Sequence, residues 1–208
     1  MPEVNRQVAQ SETANDAVVV SMVNSTTPMM PTLLLTNINH IMNKLDELYL
    51  LVNVARPVLD IIAVTESWLT DEVPNSFCDL PDYTLFRRDR TEMLGGGVLC
   101  YVRNELNSHF VDSVCSSNFD LEVLMVSIRP RALPRPLSLV LLIVVYCPPW
   151  FDAERKKALS NYITLNIDYF ESVHPNTGFL IAGDFNSLDT KFLNRYHGLK
   201  QIVTGSPV

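Results

Sequence analysis

The ten residues Leu137–Tyr146, LSLVLLIVVY, form the longest apolar run in a chain of 208 residues. At about half of the ~20 residues that span a bilayer, the run is too short for a membrane helix, so no membrane partner is expected. It reads as a strand buried in a protein core. The same signature recurs in TLLLTNIN from Thr32, LDIIAVTESW from Leu59 and GFLIAGDFN from Gly178. Each is a compact apolar run that breaks into polar residues.

Between these runs lie helical patterns. NKLDELYLLVNVAR from Asn43 places Leu45, Leu48, Leu51 and Val52 at helical spacing, and Pro57 ends it. FDAERKKALSNYITLNIDYFESV from Phe151 predicts a second helix, with Ala158, Tyr162, Leu165 and Tyr169 on one face and Lys156 and Lys157 on a solvated one. YTLFRRDR from Tyr83 and GGGVLCYVRN from Gly95 predict neighbouring strands around a tight glycine turn. DLEVLMVSIRP and PLSLVLLIVVYCPP predict a further pair joined by the loop 129–136. The alternation implies an α/β fold whose sheets are covered by helices. Residues 1–31 show no sustained period and read as a weakly ordered lead-in, leaving 32–208 as the domain.

Composition bounds the rest. Apolar residues at 47% and charged residues at 19% describe a globular chain rather than a disordered one. The first residues lack the basic-then-apolar pattern of a signal peptide, so an intracellular protein of nucleus or cytoplasm is expected, not a secreted one. Cys78, Cys100, Cys115 and Cys147 have neither C-x-x-C pairing nor histidines at zinc spacing, and read as reduced thiols, mostly in the core. A net charge of −7 argues against a broad nucleic-acid-binding surface. It leaves room for an enzyme that meets a phosphodiester through a bound cation.

Three of the apolar runs end on hard oxygen ligands: Asn37 after LLLT, Glu66 after IIAVT, and Asp184 with Asn186 after FLIAG. Strand ends are where α/β folds gather ligand sites, because polar groups there reach solvent from a rigid backbone. Mg2+, or Mn2+, suits one or two carboxylates plus water. The alternative for each residue alone is an ordinary turn-forming Asp or Asn. His40, His109, His174 and His197 fall in no catalytic motif.

The ordered set TNINHI, NKLDEL, DIIAVTESWL, YTLFRRDR, GGGVLCYVRN, VVYCPPW and FLIAGDFN resembles the endonuclease domain of non-LTR (LINE-type) retrotransposons, over roughly residues 32–205. That domain belongs to the endonuclease/exonuclease/phosphatase superfamily. The resemblance implies a four-layer α/β/β/α sandwich and Mg2+-dependent nicking of target DNA, with a reverse transcriptase domain downstream and an undefined oligomeric state. It implies Glu66 as principal metal ligand and Asn37 on the metal or phosphate side. Tyr146 would donate a hydrogen bond to the scissile phosphate, Asp184 would orient or deprotonate the attacking water, and Asn186 would bind phosphate oxygens. Apart from the resemblance, Arg88, Asp89 and Arg90 at the end of RRDR are candidates to contact a substrate phosphate, the alternative being an exposed charged strand end. The family pattern ends on a Ser-Asp-His that this sequence lacks, since it stops at HGLKQIVTGSPV. The expectation is therefore a truncated or decayed domain without the C-terminal strands and with impaired nicking. The alternatives are a non-catalytic remnant acting as an interaction fragment and a phosphatase of small phosphoesters.

Overall fold

The computed structural model describes residues 7–10, 18–20, 30–91 and 93–202. Its apolar runs form the central strands of two β-sheets. One sheet contains β2 (Val18–Val20), β3 (Leu33–Asn37), β4 (Ile61–Thr65), β5 (Tyr83–Arg88) and β6 (Val98–Arg103), in the order β2-β3-β4-β6-β5. The other contains β1 (Gln7–Gln10), β7 (Ser108–Phe110), β8 (Glu122–Ile128), β9 (Leu139–Tyr146), β10 (Thr177–Asp184) and β11 (Lys200–Gln201). Its order is β11-β1-β10-β9-β8-β7. Among the described residues three α-helices complete the fold: α1 (Leu45–Val54), α2 (Ala153–Val173) and α3 (Lys191–His197).

Alternation along each strand sorts its side chains between two cores. Leu33, Leu35, Ala63 and Cys100 of the first sheet face Val126, Leu142, Val144 and Leu180 of the second across the space between them. Their neighbours Leu34, Ile62, Leu99 and Tyr101 point outward to meet Leu48 of α1. On the far side Leu141, Ile143, Val145 and Ile181 pack against Leu159, Ile163 and Ile167 of α2 and Leu193 of α3. The order of layers is helix, sheet, sheet, helix. Strands covered on both faces need no polar alternation, which is why these runs are apolar throughout.

Two crossovers position the site. The chain leaves β3, forms α1 and returns as β4 parallel to β3, with Asn37 in register with Thr65. It leaves β9, forms α2 and returns as β10 parallel to β9, with Tyr146 in register with Asp184. Each unit brings two strand ends to one edge of its sheet. Asp152 caps α2 by accepting a hydrogen bond from the Arg155 N–H at 2.8 Å, which fixes where the chain turns from β9 into the helix.

The structure departs from the sequence reading in places. Part of the lead-in pairs within the sheets: β1 runs parallel to β10 and β2 antiparallel to β3, while the rest of 1–29 lies outside the described residues. The buried stripe of α2 is Leu159, Ile163, Ile167 and Phe170, whereas Leu165 and Tyr169 of the expected face are exposed. The two stripes are adjacent on the helix, and the one that meets the sheet is the more apolar, with Leu, Ile, Ile and Phe against Ala, Tyr, Leu and Tyr. In α1, Leu48 is buried but Leu51 is exposed. The short elements β7, α3 and β11 carry too little periodicity to be read in advance.

Gly183 lies one residue before Asp184, and a Cβ there would overlap the Val145 carbonyl of the adjacent strand. Backbone cannot swing aside as a side chain can. Gly183→Ala is therefore expected to cost at least about 2 kcal/mol in urea unfolding. Gly178→Ala, whose Cβ would press on the Leu137 side chain at 3.1 Å and meet backbone no closer than 3.7 Å, costs less.

Candidate active site

The strand ends of the two sheets meet at one pole of the sandwich. Asn37 closes β3, Glu66 follows β4, Tyr146 closes β9 and Asp184 closes β10. Hydrogen bonds cross between the sheets here. The Asn37 Nδ2 donates to Glu66 Oε1 at 3.0 Å and to Asp184 Oδ2 at 3.3 Å. The Tyr146 hydroxyl donates to the same Glu66 Oε1 at 2.8 Å. Asp184 Oδ1 accepts from the Asn186 N–H at 3.1 Å, and the Asn186 Nδ2 donates to the Cys147 carbonyl at 2.9 Å.

This geometry brings together the four residues that the sequence analysis placed at strand ends and Tyr146, which the resemblance implied. Both Asn37 partners are carboxylates, which can only accept, so the amide must present its NH2 to them and turn Oδ1 away. That Oδ1 is buried and has no hydrogen-bond partner. A buried carbonyl oxygen beside two carboxylates, without a donor of its own, is what a hard cation would satisfy.

The backbone here is strained. Glu66 (φ 55°), Trp68 (φ 56°), Asn39 (φ 44°), His40 (φ 78°) and Asn186 (φ 43°) all adopt left-handed conformations just after strand ends. Each such residue costs on the order of 1 kcal/mol and persists only where its surroundings hold it. For Glu66 they do: the Ile38 N–H donates to the Thr65 carbonyl, His40 N–H to the Glu66 carbonyl and Ile41 N–H to that of Ser67.

The two arginines expected at substrate are engaged within the protein. Arg90 donates from Nε (2.9 Å) and Nη2 (2.6 Å) to Glu122 Oε1, in a pair whose side chains are only 8% and 2% exposed. The Gly97 N–H donates to Glu122 Oε2. Burial raises the Glu122 carboxyl above the usual range, against the opposing pull of Arg90. The Arg90 guanidinium also lies 5.7 Å from the Tyr146 ring and 5.8 Å from that of Trp150. The pair is thus a strut behind Tyr146. Sequence reasoning did not single out Glu122, because its partner is far along the chain. Arg88 donates to the Leu121 carbonyl at 2.8 Å, lies 3.7 Å from Asp120, and keeps 42% of its side chain exposed.

The triple glycine forms the turn expected of it. Gly95, Gly96 and Gly97 all have positive φ, and a side chain at Gly96 would collide with the Arg90 guanidinium. The four cysteines form no disulfide, and burial pushes the Cys147 thiol up to about 11. Asp168, Glu171 and His197 present ligand atoms within 4.8 Å of one another. That cluster lies on α2 and α3 against the outer face of their sheet. Asp168 and Glu171 are near the α2 C-terminus, where the chain re-enters β10, at the opposite end of the strand from Asp184.

No family model matches the sequence, and no curated protein matches it. Solved structures match in fold. The 3′ phosphatase NExo from Neisseria, bound to a product DNA hairpin, superposes with a TM-score of 0.51 at 16% identity, covering 76% of this chain and 58% of its own. TDP2 from C. elegans gives 0.51 at 13% identity, covering 75% and 48%. A humanized D. rerio TDP2 gives 0.50 at 13% identity, covering 81% and 71%. The chain spans 58% of the NExo length. These neighbours have the endonuclease/exonuclease/phosphatase fold, and the four layers described above are that α/β/β/α sandwich.

Burial, helped by the hydrogen bond to Glu66, pushes the Tyr146 phenol well above the usual tyrosine range, and burial raises Tyr83 and Tyr101 as well. Unfolded tyrosines ionise near pH 10, so above that pH the unfolded chain releases protons that the folded chain retains. Stability is therefore expected to be fully present below about pH 10 and to fall as the pH climbs beyond it. Tyrosinate absorbance should check this: the native protein will fall short of the full signal of seven tyrosines until it unfolds.

Proposed function

We propose that the strand-end cluster hydrolyses a phosphodiester bond of DNA with Mg2+, or Mn2+, and that the chain is the endonuclease domain of a non-LTR retrotransposon. The observation that carries the chemistry is Asn37: its amide binds carboxylates from both sheets while its buried Oδ1 has no partner. That donor set fits a hard divalent cation, with Glu66 and the Asn37 oxygen as the residues that would hold it. When bound, such an ion neutralises charge on the non-bridging phosphate oxygens. The fold supports the reading, since NExo is described as a 3′ phosphatase and 3′–5′ exonuclease bound to DNA. The retroelement origin is supported by the ordered motifs alone, and a reverse transcriptase is the expected partner.

The protein's own groups have separable tasks. Asp184 is held at both oxygens, by the Asn37 amide and the Asn186 N–H, and so is oriented to take a proton from a water attacking phosphorus. Asn186 uses one amide hydrogen on Cys147 and has a second for a phosphate oxygen. Tyr146 fixes Glu66, and its raised pKa keeps the phenol a donor at any physiological pH. Arg88, half exposed, is the arginine that can reach substrate.

Two measurements test this. Supercoiled plasmid with Mg2+ should be nicked by the chain, and Glu66→Ala should lower the rate by a factor on the order of 100 or more. Tyr146→Phe keeps the ring and removes the donor, with an expected loss of about tenfold to a hundredfold and an unchanged urea midpoint. Nicking that survives Glu66→Ala would overturn the assignment. Metal binding at Asn37 and Glu66 without any nicking would instead favour the interaction-fragment reading.

A further inference from the structure

The helical side of the second sheet holds another set of metal-ligating groups, at the opposite end of β10 from Asp184. Asp168 and Glu171 lie three residues apart on α2, so their carboxylates project from the same face of the helix. His197 is the last residue of α3 and is only 2% exposed. The turn after it is fixed. Gly198 takes φ 62°, its N–H donates to the Asn194 carbonyl at 2.9 Å, and the Leu199 N–H donates to the Leu193 carbonyl at 3.2 Å. Leu193 and Leu199 are buried in the same cluster as Ile163, Ile167 and Phe170 of α2. The imidazole is thereby held against α2, and one ligand atom from each of the three residues lies within 4.8 Å of the others.

The donor set is mixed, with one buried imidazole and two carboxylates. That suits Zn2+ rather than Mg2+, which takes oxygen ligands. The His197 Nδ1 and Asp168 Oδ1 stand 3.7 Å apart, too far for a hydrogen bond. Two ligands held ~2.1 Å from one tetrahedral ion are separated by about 3.4 Å, so closing around an ion needs only a small shift. The carboxylates also sit in the last two turns of α2, at the negative end of its dipole, and the last turn contains no basic residue. A cation there offsets both their mutual repulsion and the field of the helix end. The Asp168 side chain is 59% exposed, which leaves a solvent side from which water can reach an ion. We propose that Asp168, Glu171 and His197 bind one Zn2+, with water as the fourth ligand, and that the ion fastens α3 to α2. The inference is independent of the phosphodiester reading, because none of these residues belongs to the strand-end cluster.

The test uses the whole chain, stripped with a chelator and titrated calorimetrically with Zn2+ in an excess of Mg2+. One Zn2+ should bind per chain, and the urea midpoint should rise with Zn2+, because the ion favours the folded chain. Asp168→Asn alters an exposed carboxylate and so leaves folding intact. Its Zn2+ affinity should fall at least about tenfold, the scale set by losing even a hydrogen-bond partner of a metal ligand. His197→Gln should do the same, whereas Glu66→Ala should leave the binding unchanged. Co2+ in place of Zn2+ should give the visible bands of an ion bound by nitrogen and oxygen, without the ultraviolet charge-transfer band of a thiolate. No binding in excess Mg2+ would overturn the site, as would a thiolate band, or loss of Zn2+ on Glu66→Ala. Asp168→Asn and His197→Gln variants that bind as tightly as the native chain would overturn it too. The urea midpoint separates the ion from a plain ion pair between His197 and Asp168. With a metal site, Asp168→Asn lowers the midpoint only when Zn2+ is present. A midpoint lowered equally in chelator and in Zn2+ shows the ion pair alone, and the site falls.

Discussion

Every residue of β9 from Leu139 to Tyr146 is buried, and the rest of the architecture answers to that fact. A strand with no polar face has to be covered on both sides, and here the first sheet supplies one cover and α2 the other. A parallel neighbour for β9 requires a crossover, which α2 provides, and the crossover sends the ends of β9 and β10 to the same pole. The β3-α1-β4 unit repeats this logic in the opposing sheet. Packing the sheets face to face then brings four strand ends into hydrogen-bonding distance. The site is a consequence of how apolar surface was covered.

At that pole the fold tolerates what its interior excludes. Glu66 and Asp184 are brought near each other, and the Asn37 amide between them offsets part of their repulsion by donating to both. Left-handed residues cluster in the same loops. The Arg90–Glu122 pair, which is almost fully desolvated, braces Tyr146 from behind and ties the glycine turn to the start of β8. Removing either partner would leave a buried charge without compensation, so the pair contributes geometry more than net stability.

Much of this was legible in advance. Asn37, Glu66, Asp184 and Asn186 were named from apolar runs that break on polar residues, and Tyr146 from the family resemblance alone; the structure places the five together. The strands themselves were legible because full burial leaves a continuous apolar signature. The covered face of α2 was itself open to reading: Leu159–Ile163–Ile167–Phe170 is more apolar than the expected Ala158–Tyr162–Leu165–Tyr169, and it is the stripe the sheet covers. Arg88 and Arg90 look alike in RRDR, yet one is half exposed and the other is locked to Glu122.

What the sequence by itself determined is the set of buried strands and the polar residues that end them, because burial and strand termination are written in consecutive residues. What only the tertiary structure decided is which of those ends meet, and which arginine is consumed by a carboxylate thirty-two positions away. Those are relations between residues far apart in the chain. They exist only once two sheets have been pressed together, because contact across a sandwich depends on sheet order and register and leaves no local period to read.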